Sequence, residues 1–240
     1  MSILQNLSTD ESIQDGGDNL GGFQILDSNL YPAEIEVAYV GKSAGGATSL
    51  NVHLKHAGGV HKETIWMSSG TAKGCKNYYE DKKGNKHYLP GFNQANGLCL
   101  LTIGKPIGEL DTVEKVLNIY NTELKKEAPT AVQVIDELTG QEVIAAILKQ
   151  IEDKSNKGDD GKYYPTGETR ETNEVDKFFR AKDGLTVTEI KAGETEAVFK
   201  EKWLAKNEGQ VKNKAKGAAA GVTAGSPTAS AAKPVENLFG

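Results

Sequence analysis

Between Lys73 and Phe92 the chain reads KGCKNYYEDKKGNKHYLPGF, in which Lys73, Lys76, Lys82, Lys83 and Lys86 interleave with Tyr78, Tyr79 and Tyr88. Ammonium groups neutralise phosphates and flat rings offer stacking faces to unpaired bases, so this alternation is the chemistry a single-stranded nucleic acid requires. The same residues also suit a solvated hairpin whose tyrosines lay their apolar bodies over a core. A second basic and aromatic segment carries Lys149, Lys154, Lys157, Lys162, Tyr163, Tyr164 and Arg170. Tyr163 and Tyr164 are consecutive, so on a strand only one of them can face a given surface.

Other chemistries fit less well. GKSAG at Gly41 to Gly45 matches the nucleophile elbow of serine hydrolases, with Ser43 as nucleophile. That elbow joins a strand to a helix, whereas here the following Gly46-Ala47-Thr48 leads into a second strand pattern, so no enzyme activity is expected. The same GKS is no phosphate loop, because Glu36 stands where that loop needs glycine. His53, His56, His61, Cys75, His87 and Cys99 lack tight metal-ligand spacing, and His53 and His56 point to opposite faces of a strand. Neither a metal nor a cofactor is expected. There is also no zinc-finger spacing and no basic recognition helix, which argues against reading of duplex sequence.

The net charge of −5 does not oppose a polyanionic partner, because the charge is segregated. Residues 1–22 hold four acids and no lysine or arginine, whereas residues 200–216 hold six lysines and two acids. Cys75 and Cys99 are too few for a disulfide scaffold and read as free thiols in a reducing compartment. No apolar run reaches the ~18 residues of a membrane span, and MSILQNLSTDES is unlike a secretory signal, so a cytosolic protein is expected.

The elements that must carry these groups are mostly strands. In YPAEIEVAYV, Ala33, Ile35, Val37 and Tyr39 alternate with Glu34, Glu36 and Ala38, and in LNVHLKHA, Leu50, Val52 and Leu54 alternate with Asn51, His53 and Lys55. The glycine-rich VGKSAGGATS between them predicts an antiparallel hairpin. VHKETIWM is a third strand candidate; its Trp66, an aromatic in an apolar strand, is expected in the core rather than on the surface. Residues 75–79 and 86–89 predict a second hairpin, and residues 93–102 a short helix. TVEKVLNIYNTELKKEAP is ambiguous between helix and strand. AVQVIDELTGQEVIAAILKQIEDK predicts two strands around Thr139-Gly140, although the alanines of VIAAILKQ also suit a helix; KSNKGDDGKYYPTGETRE predicts a protruding hairpin or binding loop, and LTVTEI a strand. Four segments result: an acidic, mobile N-terminus (1–22), a nucleic-acid-binding domain (23–193), a C-terminal helix (194–209) holding Phe199 and Trp203 one turn apart, and a flexible Ala/Gly/Ser/Thr linker ending in the apolar tip VENLFG (210–240).

Three stretches, YYEDKKGNKHYLPGFNQAN, ELTGQEVIAAILKQIEDK and KYYPTGETRETNEVDKFF, resemble in order and wording the single-stranded-DNA-binding proteins of tailed bacteriophages, over roughly residues 23 to 179. The resemblance implies a mainly β chain with a few helices, built on an OB-like antiparallel β-barrel with long hairpins. It also implies non-sequence-specific binding and protection of single-stranded DNA during phage replication and recombination, in the cytoplasm of the bacterial host. Phosphate and base contacts would then come from Lys73, Lys76, Tyr78, Tyr79, Lys82, Lys83, Lys86 and Tyr88, joined by Lys149, Lys162, Tyr163 and Tyr164. Replication or recombination proteins would dock on the tail through Glu236, Leu238 and Phe239. VENLFG departs from the acidic run usual in such docking tails, having only Glu236. Self-association into a homo-oligomer stays open, and no membrane partner is implied. The competing reading is a replication-accessory interaction module that acts through its tail without strong DNA binding.

Overall fold

In the computed structural model of the chain, the residues described are 25–121, 124, 126–158 and 163–216. The first hairpin forms as its alternation predicts: β1 (Asn29–Lys42) runs antiparallel to β2 (Thr48–His56), which continues into β3 (Gly59–Trp66). Leu50, Val52 and Leu54 point inward and are fully buried. On β1, however, the expected face is only half right. A bulge between Ile35 and Val37 inserts one residue into the ladder, so Ile35 and Ala38 are the buried positions and Tyr39 swings to the outer face. One extra residue in a period-two pattern inverts every side chain beyond it.

Beyond β3 come a 3-10 turn at Thr71–Lys73, a small separate hairpin of β4 (Tyr78–Glu80) and β5 (Lys86–Tyr88), and helix α1 (Pro90–Thr102). Proline suits the first helical turn of α1, where its missing N–H is not needed. The helix buries Ala95, Leu98, Cys99 and Leu101 against the inner face of the sheet. The ambiguous segment that follows is a hairpin of β6 (Val113–Asn121) and β7 (Lys126–Val134); β7 joins β1 only at Tyr39↔Val134 and Val40↔Gln133.

β8 (Glu142–Lys157) pairs with β1 over Asn29–Glu34 on one side and with β9 (Tyr163–Arg180) on the other, and then extends with β9 as a two-stranded arm. VIAAIL in β8 is apolar without alternation because both faces are covered: Val143, Ala145 and Ile147 enter the main core, while Ala146 and Leu148 pack with Phe179 and Trp203. Two short helices follow, α2 (Val187–Ala192) and α3 (Val198–Asn207), then β10 (Val211–Asn213), parallel to β8. The order across the sheet is β10-β8-β1-β2-β3, and the fold is mainly β with antiparallel sheets.

Two further expectations need correction. LTVTEI is not a strand: the Thr186 hydroxyl accepts the Glu189 N–H while the Glu189 carboxylate accepts the Thr186 N–H, a capping box that nucleates α2. The linker does not begin at residue 210, since β10 stays on the sheet and the Lys216 N–H still donates to Asp153. The expectations for residues 1–22 and for the tip VENLFG, with Glu236, Leu238 and Phe239, fall outside the described residues. Among the described residues no helix is long and apolar enough to cross a membrane.

β3 and β9 share no strand ladder, yet a side chain links them. Glu63 points inward from β3 and accepts the backbone N–H of Val175 on β9 at 2.8 Å, while its carboxylate lies 3.0 Å from the ring nitrogen of buried His61. Gln94 of α1 donates to the carbonyl of the same Val175. Side chains thus satisfy at this seam the buried backbone groups that a neighbouring strand would otherwise take.

Candidate nucleic-acid interface

The lysine-rich hairpin stands where β3 ends. Its base is tied to the β1–β2 turn, the Thr71 N–H donating to the Gly45 carbonyl at 2.8 Å, and closed on itself by Leu89 N–H to Asn77 C=O, also at 2.8 Å. Gly91 at the start of α1 packs so closely on β3 that a Cβ there would lie 2.0 Å from the Trp66 carbonyl oxygen. Lys73, Lys76, Lys82, Lys83 and Lys86 are all exposed. The register Tyr78↔Tyr88 and Tyr79↔His87 puts Tyr78, Lys86 and Tyr88 on one face and Tyr79 on the other. The ammoniums of Lys76 and Lys86 lie 5.4 and 5.0 Å from the Tyr78 ring, within cation–π range. Tyr79 stacks on His87 and Tyr88 leans on Phe92, and both tyrosines remain about half exposed.

Asp81 shapes the tip. Its carboxylate accepts the side-chain amide and N–H of Asn85, the His87 ring and the N–H of Lys83, and the Asn85 bonds chiefly hold its pKa down at about 2. A depressed carboxylate orders the turn fully above its ordinary value of 3.8 and loses that contribution as pH falls through about 2. The amide resonances of Lys83 and Asn85 are therefore expected to stay dispersed down to about pH 4 and to collapse toward random-coil positions between there and pH 2, before the sheet unfolds; shifts that do not move over this window would remove Asp81 from this role.

A feature that the sequence did not disclose lies beside the hairpin. The outward rows of the first three strands read Gly41, Ser49, Trp66 and Tyr39, Asn51, Thr64. The β6–β7 hairpin, leaving β1 after its short pairing, walls this surface with Ile119, Tyr120, Thr130 and Val132 to make an open groove of ≈ 590 Å³. Trp66 is 48% exposed and Tyr120 61%, so the expectation of a core tryptophan is wrong: Trp66 is the last residue of its strand and on the outward parity. Burial raises the pKa of the Tyr39 hydroxyl, whose ring meets His53 edge-on. The floor is polar, with Thr64 donating to Asn51. A Cβ at Gly41 would lie 2.4 Å from the Asn51 amide nitrogen, so a side chain there would push that amide from its place on the floor. Exposed Lys42 and the lysine hairpin stand at the Trp66 end.

The second cluster is elsewhere. Asn29 is opposite Ile147, so the β8–β9 arm runs past the start of β1, whereas the lysine hairpin adjoins its end. A fourteen-residue strand at ~3.3 Å per residue puts the two clusters on the order of 40 Å apart. Tyr163 and Tyr164 are exposed near the arm's far end, on opposite faces, and Lys162 falls outside the described residues. Lys149 is only 21% exposed at its side chain, 3.2 Å from Glu171 and 3.9 Å from Asp27. Lys154 and Arg170 pair with Glu168 and Glu152 across the arm.

The rejected motifs have structural roles. The Ser43 hydroxyl accepts the Ala47 N–H within the β1–β2 turn. His61 pairs with Glu63, His87 with Asp81, and Cys99 lies in the core, where burial pushes its thiol up to about 12. No family model matches this sequence, and no curated protein matches it.

Proposed function

We propose that this chain binds single-stranded DNA without reading its sequence, and does so in the groove formed by the outer face of β1–β3 and the β6–β7 hairpin. The observation that carries this reading is the meeting of exposed Trp66 and Tyr120 and partly buried Tyr39 with the lysine hairpin at one end of that groove. Rings accept any base by stacking, and the lysines would neutralise the phosphates that pass them. We read the strands as an OB-like barrel: β1 is shared between β2 and β8, α1 follows β3, and Glu63 bridges β3 to β9 where such a barrel would close, with Gln94 of α1 bonded to the same residue of β9. The role proposed is the coating of unpaired DNA in phage replication and recombination within the bacterial cytoplasm, with no catalysis and with the tail available to replication proteins.

Fluorescence anisotropy with labelled dT of about thirty nucleotides, against a duplex of equal length, tests this across a salt series. Preference for the single strand, weakening with salt, is expected; equal or absent binding to both at low salt would refute it. Replacing Lys82, Lys83 and Lys86 together by alanine is expected to flatten the log–log salt slope by about 2, at ~0.7 per lost phosphate contact. An unchanged slope would show that the hairpin does not meet the backbone.

A further inference from the structure

The groove is cationic at one end only. At the end away from Trp66, the outward row of strand positions is Val37, His53 and Lys62. Lys62 is the one ammonium in that row, and its Nζ lies 3.3 Å from the carboxylate of Glu127, which reaches over from β7. Glu36 of β1 and Glu127 are the carboxylates whose fields act on the ring of His53. That ring does not replace the lost cation, because burial first and Lys62 second hold its pKa below 6.5. The surface just past this end of the groove therefore carries the carboxylates of Glu36 and Glu127, Lys62 already paired, and an imidazole whose protonation is disfavoured.

We infer that Glu127 is a built-in competitor for phosphate: it occupies Lys62, the cation one row of strand positions beyond the groove's lining, and so limits how far a DNA strand leaving the groove is engaged. The inference rests on the DNA-binding reading above and adds to it a residue that sets the extent of contact. Both partners are more than half exposed, at 56% and 60%, and an ion pair so solvated is weak enough to be exchanged for another anion. A phosphodiester presents the same chemistry to Lys62 as the carboxylate does, a hydrogen-bond-accepting anion, so the two are alternatives at one ammonium. The pair also spans from β3 to β7, so it ties the β6–β7 wall to the sheet while it persists.

Glu127→Gln removes the competing charge and keeps the side chain's size at an exposed position. For Glu127→Gln, the affinity for dT of about thirty nucleotides is expected to rise about two- to five-fold at low salt, and the salt slope to steepen by about 0.7, one added phosphate contact. Lys62→Ala alone is expected to change little, because that lysine is already occupied. In the Lys62→Ala background the gain from Glu127→Gln is expected to vanish. If the wild type binds and Glu127→Gln leaves affinity and slope unchanged, the inference is overturned while the DNA-binding reading stands. If the gain survives Lys62→Ala, it is a general effect of one less negative charge and the inference is again overturned. If neither wild type nor Glu127→Gln binds the oligonucleotide at low salt, the DNA-binding reading fails and this inference falls with it.

Discussion

Trp66→Ala is expected to weaken binding of oligo-dT about ten-fold or more, in line with the ~1–3 kcal/mol that one base–aromatic stack contributes. The residue sits at the end of β3 with nearly half its surface in solvent, so truncation opens no cavity, and the folded structure should survive with an unchanged melting temperature. Fluorescence makes the expectation sharper. The chain has two tryptophans, and the other, Trp203, is 4% exposed with its indole N–H donated to Asp176 at 2.7 Å. Quenching of tryptophan emission by DNA should therefore come from Trp66 alone. Trp66→Phe should retain a good part of the affinity and lose the quench. Should Trp66→Ala bind as tightly as wild type, the bases do not lie in this groove, and the exposed tyrosines of the lysine hairpin, Tyr79 and Tyr88, become the surface to test.

The lysine hairpin was legible in the sequence because its signal is local: charges, rings and a turn lie within twenty consecutive residues, and no distant contact is needed to see them. The groove was not. Alternation places Tyr39 with Ala33 and Ile35, and only the bulge at Ile35/Val37, which nothing in the alternation announces, turns it outward. Trp66 closes an apolar strand, and its exposure depends on where that strand stops. Tyr120 lies in a segment whose apolar spacing fits helix and strand equally, and the partner that settles it is β7, which begins at Lys126, five positions after β6 ends. The two basic-aromatic segments also do not lie side by side. Register alone sends the β8–β9 arm away from the hairpin, and register is a tertiary property that similar composition cannot supply. LTVTEI went wrong for a local reason: its β-branched residues suggested a strand, while the hydrogen bonds of Thr186 and Glu189 favour a helix start.

The largest expected loss of stability comes from Glu63→Ala. That change would leave the Val175 N–H without its acceptor and buried His61 without its partner, and unsatisfied buried polar groups cost about 1–3 kcal/mol each. The two share one carboxylate and cannot be summed simply, so a loss of about 2–4 kcal/mol is expected, read as a lower urea midpoint at unchanged m. For a chain of this size that is a fall in Tm of roughly 5–15 °C. Glu63→Gln keeps one carbonyl oxygen for Val175 and should lose less. The neighbouring Lys62→Ala, at an exposed position, should stay within about 0.5 kcal/mol of wild type. A Glu63→Ala protein as stable as wild type would mean that α1 and the apolar core hold β3 to β9 without the seam. The site depends on the same contact. Trp66 is three residues beyond Glu63 on β3, and the lysine hairpin hangs from that strand's end, so a β3 released from β9 would carry both the stacking ring and the cations out of register with the groove wall. Glu63→Ala should therefore bind oligo-dT more weakly than its folded fraction explains, although Glu63 faces the interior, away from the groove.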